Sequence, residues 1–193
     1  MTKKRQTIRI IDSHKFQIDT SNRHDRSIYK GLFKKTIIKL EKILELEKKY
    51  LGANHPDVGG TLSWIGFVYL KENKFYKSEK FLLKGLNIIE LFYGENHEEL
   101  RSTLNDLGDL YLIKQDYKKA EDIFIRLLLI DKKIFGEKSS EYAISLTSLG
   151  DLYFEKNDYK KAEEIFNIVL KIDKNNHSKE SSEYAITLNW LGE

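Results

Sequence analysis

From residue 28 onward, apolar residues recur at steps of three and four, pause at a short polar stretch, and recur again. That spacing predicts amphipathic helices joined by tight turns. Ile28, Leu32, Phe33, Ile37, Leu40, Ile43, Leu44 and Leu51 form a stripe that predicts one long helix. Further on, the stripes fall in pairs. Leu100, Leu104, Leu107, Leu110 and Tyr111 predict a first helix, residues 114–116 a turn, and Tyr117, Ala120, Ile123, Phe124, Leu127 and Leu128 a second helix running back along it. The expected helices cover 28–51, 56–72, 75–92, 98–114, 117–134, 140–156, 159–174 and 182–193. Residues 13–27 carry too few apolar groups for a matching first helix, so 1–27 is expected to be a basic leader, irregular or poorly ordered.

The paired pattern is itself repeated. Blocks of 42 residues begin at His55, His97, Ser139 and Ser181, and the second and third are identical at 20 of 42 positions without a gap. A fixed period of this size marks an array in which each unit packs only on its neighbours. The expected fold is therefore all-α, a right-handed solenoid of antiparallel helix pairs with a broad concave surface. Its domain comprises a half repeat at 28–54, full repeats at 55–96, 97–138 and 139–180, and a truncated repeat at 181–193. The last segment, SSEYAITLNWLGE, predicts an incomplete helix with an apolar edge at Leu188 and Leu191, and hence self-association through that C-terminal helix.

Local chemistry supports the boundaries. Gly52 and Gly94 suit left-handed helix ends, Asn54 and Asn96 are expected to cap the helices that follow, and Pro56 fits a first helical turn. Gly108 and Gly150 fall inside helices, where Gly costs about 1 kcal/mol relative to Ala. They predict close helix crossings, with Ala120, Ala162, Ser78 and Thr36 as the small residues on the partner helices.

Composition narrows the function. The chain has no cysteine, which excludes disulfides, thiolate metal sites and thiol nucleophiles together. It has no apolar run of membrane-spanning length and no signal-peptide pattern at its start, which argues against a membrane and makes the cytoplasm the default address. The net charge of +3 conceals an asymmetry of +7 over residues 1–35 and −4 over the rest. Those basic residues are scattered and lack interleaved aromatics, which argues against a nucleic-acid partner. His55 and His97 occupy one register position and read as a repeated turn residue, so no metal site is expected. There is no Gly-rich phosphate loop, HExxH or serine elbow, and acids alternate with lysines as in DYKKAED, the pattern of a solvated helix face. The chain reads as a non-enzyme without a cofactor.

The phasing of a small or apolar residue, Leu, Gly, Tyr, Tyr, Ala and Phe at 104, 107, 108, 111, 117, 120 and 124, and again at 146, 149, 150, 153, 159, 162 and 166, resembles the tetratricopeptide repeat. The 42-residue period and the HPDV…TLSWIGFVY opening at 55–69 are similar in particular to the kinesin light chain type. The resemblance covers about residues 28–193. Departures are Leu for a large aromatic at 62, 104, 146 and 188, Ile65 for Leu, and Ser78 for Ala.

The resemblance implies that the first helices line a concave groove that binds peptides. Carried through the register, it places Ser63, Asn105, Thr147 and Asn189 at one level of that groove, Phe67, Asp109 and Asp151 one turn on, and Leu70, Leu112 and Phe154 beyond them. Amides and hydroxyls can pair with a peptide backbone, apolar residues can accept anchoring side chains, and Asp109, Asp151 and Glu155 would favour a basic ligand. The function so implied is a scaffold that binds a peptide or protein segment. The alternative is a sensor or regulatory repeat module of a larger enzyme or signalling protein whose effector domain lies outside this chain.

Overall fold

The computed structural model describes residues 23–176, with side chains from 31 to 174. Its helices are α1 (Arg23–Leu51), α2 (Pro56–Lys71), α3 (Phe75–Tyr93), α4 (Arg101–Ile113), α5 (Tyr117–Ile134), α6 (Ser140–Glu155) and α7 (Tyr159–Asn176), with a 3-10 turn at Glu98–Leu100 before α4. No strand occurs among the described residues. Helix α1 starts ahead of the expected residue 28. The rest of the expected leader and the last helix, with its edge at Leu188 and Leu191, lie outside the described residues.

The helices pair as α2 with α3, α4 with α5, and α6 with α7, and each second helix also packs on the next first helix. Burial follows the stripe. Leu82, Leu100, Leu104, Leu107, Leu110, Ile130 and Leu152 are fully excluded from solvent and join in a core that runs through the stack. Each pair turns through one residue at positive φ in the same register, Asn73, Gln115 and Asn157, and Gly52, Gly94 and Gly136 occupy positive φ after the second helices. Glycine adopts that conformation without the Cβ penalty.

The caps differ from expectation. The first helices of successive pairs are capped at 55, 97 and 139, where Nδ1 of His55 accepts from the Asp57 amide, Nδ1 of His97 from the Glu99 amide, and Oγ of Ser139 from the Tyr142 amide. Asn54 and Asn96 stay exposed one residue too early. An imidazole nitrogen can accept a cap hydrogen bond as a hydroxyl does, which gives the two histidines their role.

Between repeats a polar staple recurs. Tyr111 donates to Glu79 Oε1 at 3.0 Å and Lys114 to Oε2 at 2.7 Å, and one period on Tyr153 and Lys156 hold Glu121 at 2.6 and 2.9 Å. The hydrogen bonds from Tyr153 and Lys156 keep the Glu121 carboxyl below its usual range. Tyr153→Phe should therefore destabilise the protein by about 1 kcal/mol in urea denaturation, with the loss shrinking as pH falls and Glu121 protonates. A second device sits deeper. Asp131, fully buried, takes the guanidinium of Arg101 and accepts from Ser145 at 2.5 Å, tying α5 to both neighbouring first helices. Ile89 replaces this acid one period earlier, and there the Thr103 hydroxyl donates to Ser63 Oγ at 2.8 Å instead.

Candidate functional site

First helices of successive pairs approach one another directly, α2 against α4, and a hydrogen bond from Ser148 to Asn105 Oδ1 links α6 to α4 at 3.4 Å. Second helices of successive pairs make no comparable contact among the described residues. The side on which neighbours lie closer is the inner side of a curved stack, so α2, α4 and α6 form the concave face.

A helix turns 100° per residue, so one exposed stripe along α2 takes residues 60, 64, 67 and 71. These positions are Gly60, Trp64, Phe67 and Lys71, all open to solvent in part, while their neighbours are buried. Trp64 meets Phe67 edge-on at 5.8 Å between ring centroids, and the Lys71 ammonium lies 5.0 Å above the Phe67 ring. One and two periods on, the stripe reads Asp106 and Asp109 on α4, then Ser148, Asp151 and Glu155 on α6.

This placement corrects part of the expected set. Ser63 and Leu70 do not face the groove: they are 6 % and 3 % exposed, and Ser63 spends its hydroxyl on Gly59 O at 3.1 Å and on the bond from Thr103. At Ser63 and Leu70 the register carried from the family falls one residue short of the open stripe in α2, whereas at Phe67 it meets it, and at 100° per residue the offset moves a side chain into the helix interface. Phe67, Asn105, Asp109, Leu112, Thr147 and Asp151 are half-buried on α2, α4 and α6. Asn105 donates to Asp109 Oδ2 at 3.5 Å while accepting from Ser148, whereas Thr147 turns its hydroxyl back to Ala143 O at 3.0 Å. Leu112 also packs against the core, and Phe154 stands at the end of α6 with its ring 5.3 Å from Tyr159. Asn189 lies outside the described residues.

Lys71, Asp106 and Ser148 were missed, and Trp64, in register with Trp190, reads from the sequence first as a filler of the gap between repeats and only second as a ligand contact. Their signal was the i, i+3, i+7 spacing of 64, 67 and 71, repeated at 106 and 109 and at 148, 151 and 155.

The acids dominate the electrostatics. Burial pushes the Asp106 carboxyl up to about 8, reinforced by the charge of Asp109 and opposed by Lys71. Burial likewise raises Asp109 to about 6 against the pull of Lys71, and raises Asp151 to about 6 with help from Asp109 and Glu155. A concave wall produces this: the carboxylates are reached by water from one side only, and protein encloses the rest. No group of three or more His, Cys, Asp or Glu is arranged to hold a metal ion among the described residues. No described helix is long and apolar enough to cross a membrane.

With this geometry in hand, comparison with known proteins places the fold. The tetratricopeptide repeat profile matches residues 57–127 and 102–175. The crystal structure of BtubC (BKLC) from P. vanneervenii gives a TM-score of 0.76 at 22 % identity over 84 % of this chain and 65 % of that one, so the chain spans just under two thirds of its length. A kinesin light chain-like protein of Podosopora anserina with nearly identical TPR-like repeats gives 0.71 at 16 % identity, covering 86 % of this chain and 79 % of the other. A substituted form of that protein gives 0.72 with the same identity and coverage. At such identities the likeness is one of fold. No curated protein matches the chain in sequence.

Proposed function

Because the chain belongs to the tetratricopeptide repeat family, whose repeats mediate protein–protein interaction and whose fold is typically a non-enzymatic scaffold, we propose that its concave face binds a peptide or a segment of a protein partner. The observation that carries this reading is the open stripe from Trp64 and Phe67 on α2 through Asn105 and Asp109 on α4 to Asp151 on α6. It combines an aromatic patch that can seat an apolar side chain, an amide able to pair with a peptide backbone, and carboxylates that favour a basic ligand. An extended segment laid across three parallel helices would meet all three in turn. Phe154 marks the far end of the same surface, within reach of a longer segment.

The test is selection of binders from a random 12-residue peptide library on the whole chain, followed by calorimetry of the selected peptide against variants. Phe67→Ala and Asn105→Ala should each weaken binding about fivefold to tenfold, the loss of one contact or hydrogen bond, with melting temperature little changed. Asp109→Lys combined with Asp151→Lys should weaken a basic peptide further and spare an acidic one. Equal affinity across the set would move the binding surface off this face.

A further inference from the structure

Helix α1 packs on α2 through one side and leaves its other flank open. In α3 the same flank is covered, because Phe81, Gly85, Ile88 and Phe92 turn toward α2. One period earlier those positions are Lys39, Ile43, Leu46 and Tyr50 of α1. Ile43 is half-buried, but Leu46 and Tyr50 are 55 % and 71 % exposed, and Leu32 at the other end of the flank is 43 % exposed. Among these apolar side chains stand Lys35, Lys39, Lys42 and Lys49, all exposed and without an ion pair among the described residues. The Lys49 ammonium lies 5.2 Å above the Tyr50 ring. The exposed acids of α1, Glu41 and Glu45, sit more than about 100° around the helix from Lys39, so the flank is basic as well as apolar.

A polar atom at its edge marks a missing neighbour. Glu47 Oε2 is buried without a hydrogen-bond partner, and burial holds the Glu47 carboxyl above its ordinary range against a hydrogen bond from Thr61. Two periods on, the register position is Asp131, which Arg101 holds from the first helix of its own pair and Ser145 from the next. Thr61 stands where Ser145 does, and the place of Arg101 has no counterpart among the described residues. Buried polar atoms in native structures are nearly always paired. An incoming helix would bring the donor.

We propose that this flank of α1 is a docking site, separate from the concave face, for an amphipathic helix of a protein partner that runs antiparallel to α1 and whose apolar stripe is bordered by acids. Its apolar side chains cover Leu32, Ile43, Leu46 and Tyr50 as a helix laid in a groove does, its carboxylates meet the lysines, and a donor in its first turn completes Glu47. Charge and reach select this occupant. Gln17 holds the register place of Arg101, but α1 is unbroken from Arg23, about 36 Å along the helix from Glu47, and the six residue steps from 17 to 23 span at most about 21 Å. Residues 1–22 also hold Lys3, Lys4, Arg5, Arg9 and Lys15 against Asp12 and Asp19, so the flank repels them. A second copy of α1 laid here would set lysine against lysine.

The probes are an acetylated and amidated peptide of Arg followed by three copies of Leu-Gln-Ala-Leu-Glu-Gln-Glu, and its counterpart with Lys for every Glu. Binding to the whole chain is followed by NMR of backbone amides and by titration calorimetry. The acidic peptide should perturb residues 32–50 and leave α4 and α6 unmoved, and the lysine peptide should not bind. Lys35→Glu, Lys39→Glu and Lys42→Glu combined should weaken the acidic peptide at least about tenfold, and Leu46→Ser about fivefold, with melting temperature little changed because all four side chains are exposed. Equal binding of the two peptides, or unchanged affinity in the triple variant, overturns the acidic partner. Shifts confined to α4 and α6, or no binding, overturn the site. Two further results would give the flank to another occupant and overturn the proposal: association of the chain alone in sedimentation that Leu46→Ser abolishes, which assigns it to a second copy, or broadening of the Leu46 and Tyr50 amides by a spin label on Ile10→Cys, which assigns it to residues 1–22.

Discussion

Asp106→Asn should raise the stability of the unliganded protein by about 2–4 kcal/mol at pH 8, and by progressively less as pH falls, until the gain disappears near pH 4. The sign follows from proton linkage. The carboxyl sits at about 8 in the folded state against 3.8 for the unperturbed group, so between those values the native state holds a proton that the unfolded chain has lost. Stability then falls as pH rises through that window and levels off above the folded value. Each tenfold difference in proton affinity between the two states corresponds to about 1.4 kcal/mol, but water reaches the open side of the groove, and the like charge of Asp109 couples the two acids, so roughly half of the full linkage is expected to appear. Asn keeps the shape of the protonated acid and removes the titration. Asp109→Asn and Asp151→Asn should act in the same direction, within the narrower window below about 6. Chemical denaturation followed by circular dichroism at pH 4, 6 and 8 measures all three. A loss of stability at pH 8 for Asp106→Asn would mean that its carboxylate is satisfied by a partner in the folded protein.

The architecture was written plainly in the chain, and for a physical reason. Each repeat solves the same packing problem with the same residues, so the stripe of Leu104, Leu107, Tyr111, Ala120 and Phe124 returns as Leu146, Leu149, Tyr153, Ala162 and Phe166, and helix ends fall within a residue or two of where that stripe stops. The caps were less legible. Whether Asn96 or His97 closes a helix depends on which residue takes the extended backbone conformation, and His97 does so at φ −102° and ψ 148°. Composition favours asparagine at such a place, but the imidazole nitrogen serves once the backbone has chosen.

At the concave face, one-residue errors mattered most. Phe67, Asn105, Asp109 and Asp151 fall on it, whereas Ser63 and Leu70 each sit one residue before an open position and are buried. Asp106 stands in register with Trp64 and Ser148, so residue type did not single it out, and only the i, i+3 spacing shared with 64 and 67 and with 148 and 151 places it on the stripe. Its raised carboxyl comes from partial burial first and from the charge of Asp109 second. The close helix crossings show the same limit. Gly108 and Gly150 were legible as places needing room, but the rings of Phe124 and Phe166 fill that room rather than Ala120 and Ala162 alone. The closest backbone approach, at Gly59 and Gly85, had no repeated counterpart, since Leu127 and Val169 stand where Gly85 does.

That crossing supports the other large effect. Gly85→Ala should destabilise the protein by about 2–4 kcal/mol, although the same change inside an ordinary helix stabilises by up to about 1 kcal/mol. A Cβ at Gly85 would stand 2.6 Å from the Gly59 carbonyl oxygen and 3.0 Å from the Ser63 amide nitrogen, besides meeting the Ser63 hydroxyl. Two of those atoms are backbone, so no side-chain rotation relieves the contact and α2 must move away from α3. That movement would loosen the interface around Val58, Leu62, Leu82, Leu86 and Ile89, and would break the hydroxyl link from Thr103 to Ser63 that ties the pair to α4. Gly108→Ala should cost less, about 1–3 kcal/mol, because its Cβ meets the Phe124 ring, with Cζ at 2.6 Å, and a side chain can tilt where a carbonyl cannot. Gly31→Ala in α1 is the control: its Cβ would have nothing within 4 Å, so it should stabilise by about 0.5–1 kcal/mol. Urea denaturation of the three variants ranks them, and a Gly85→Ala protein as stable as Gly31→Ala would show that α2 and α3 do not cross this closely.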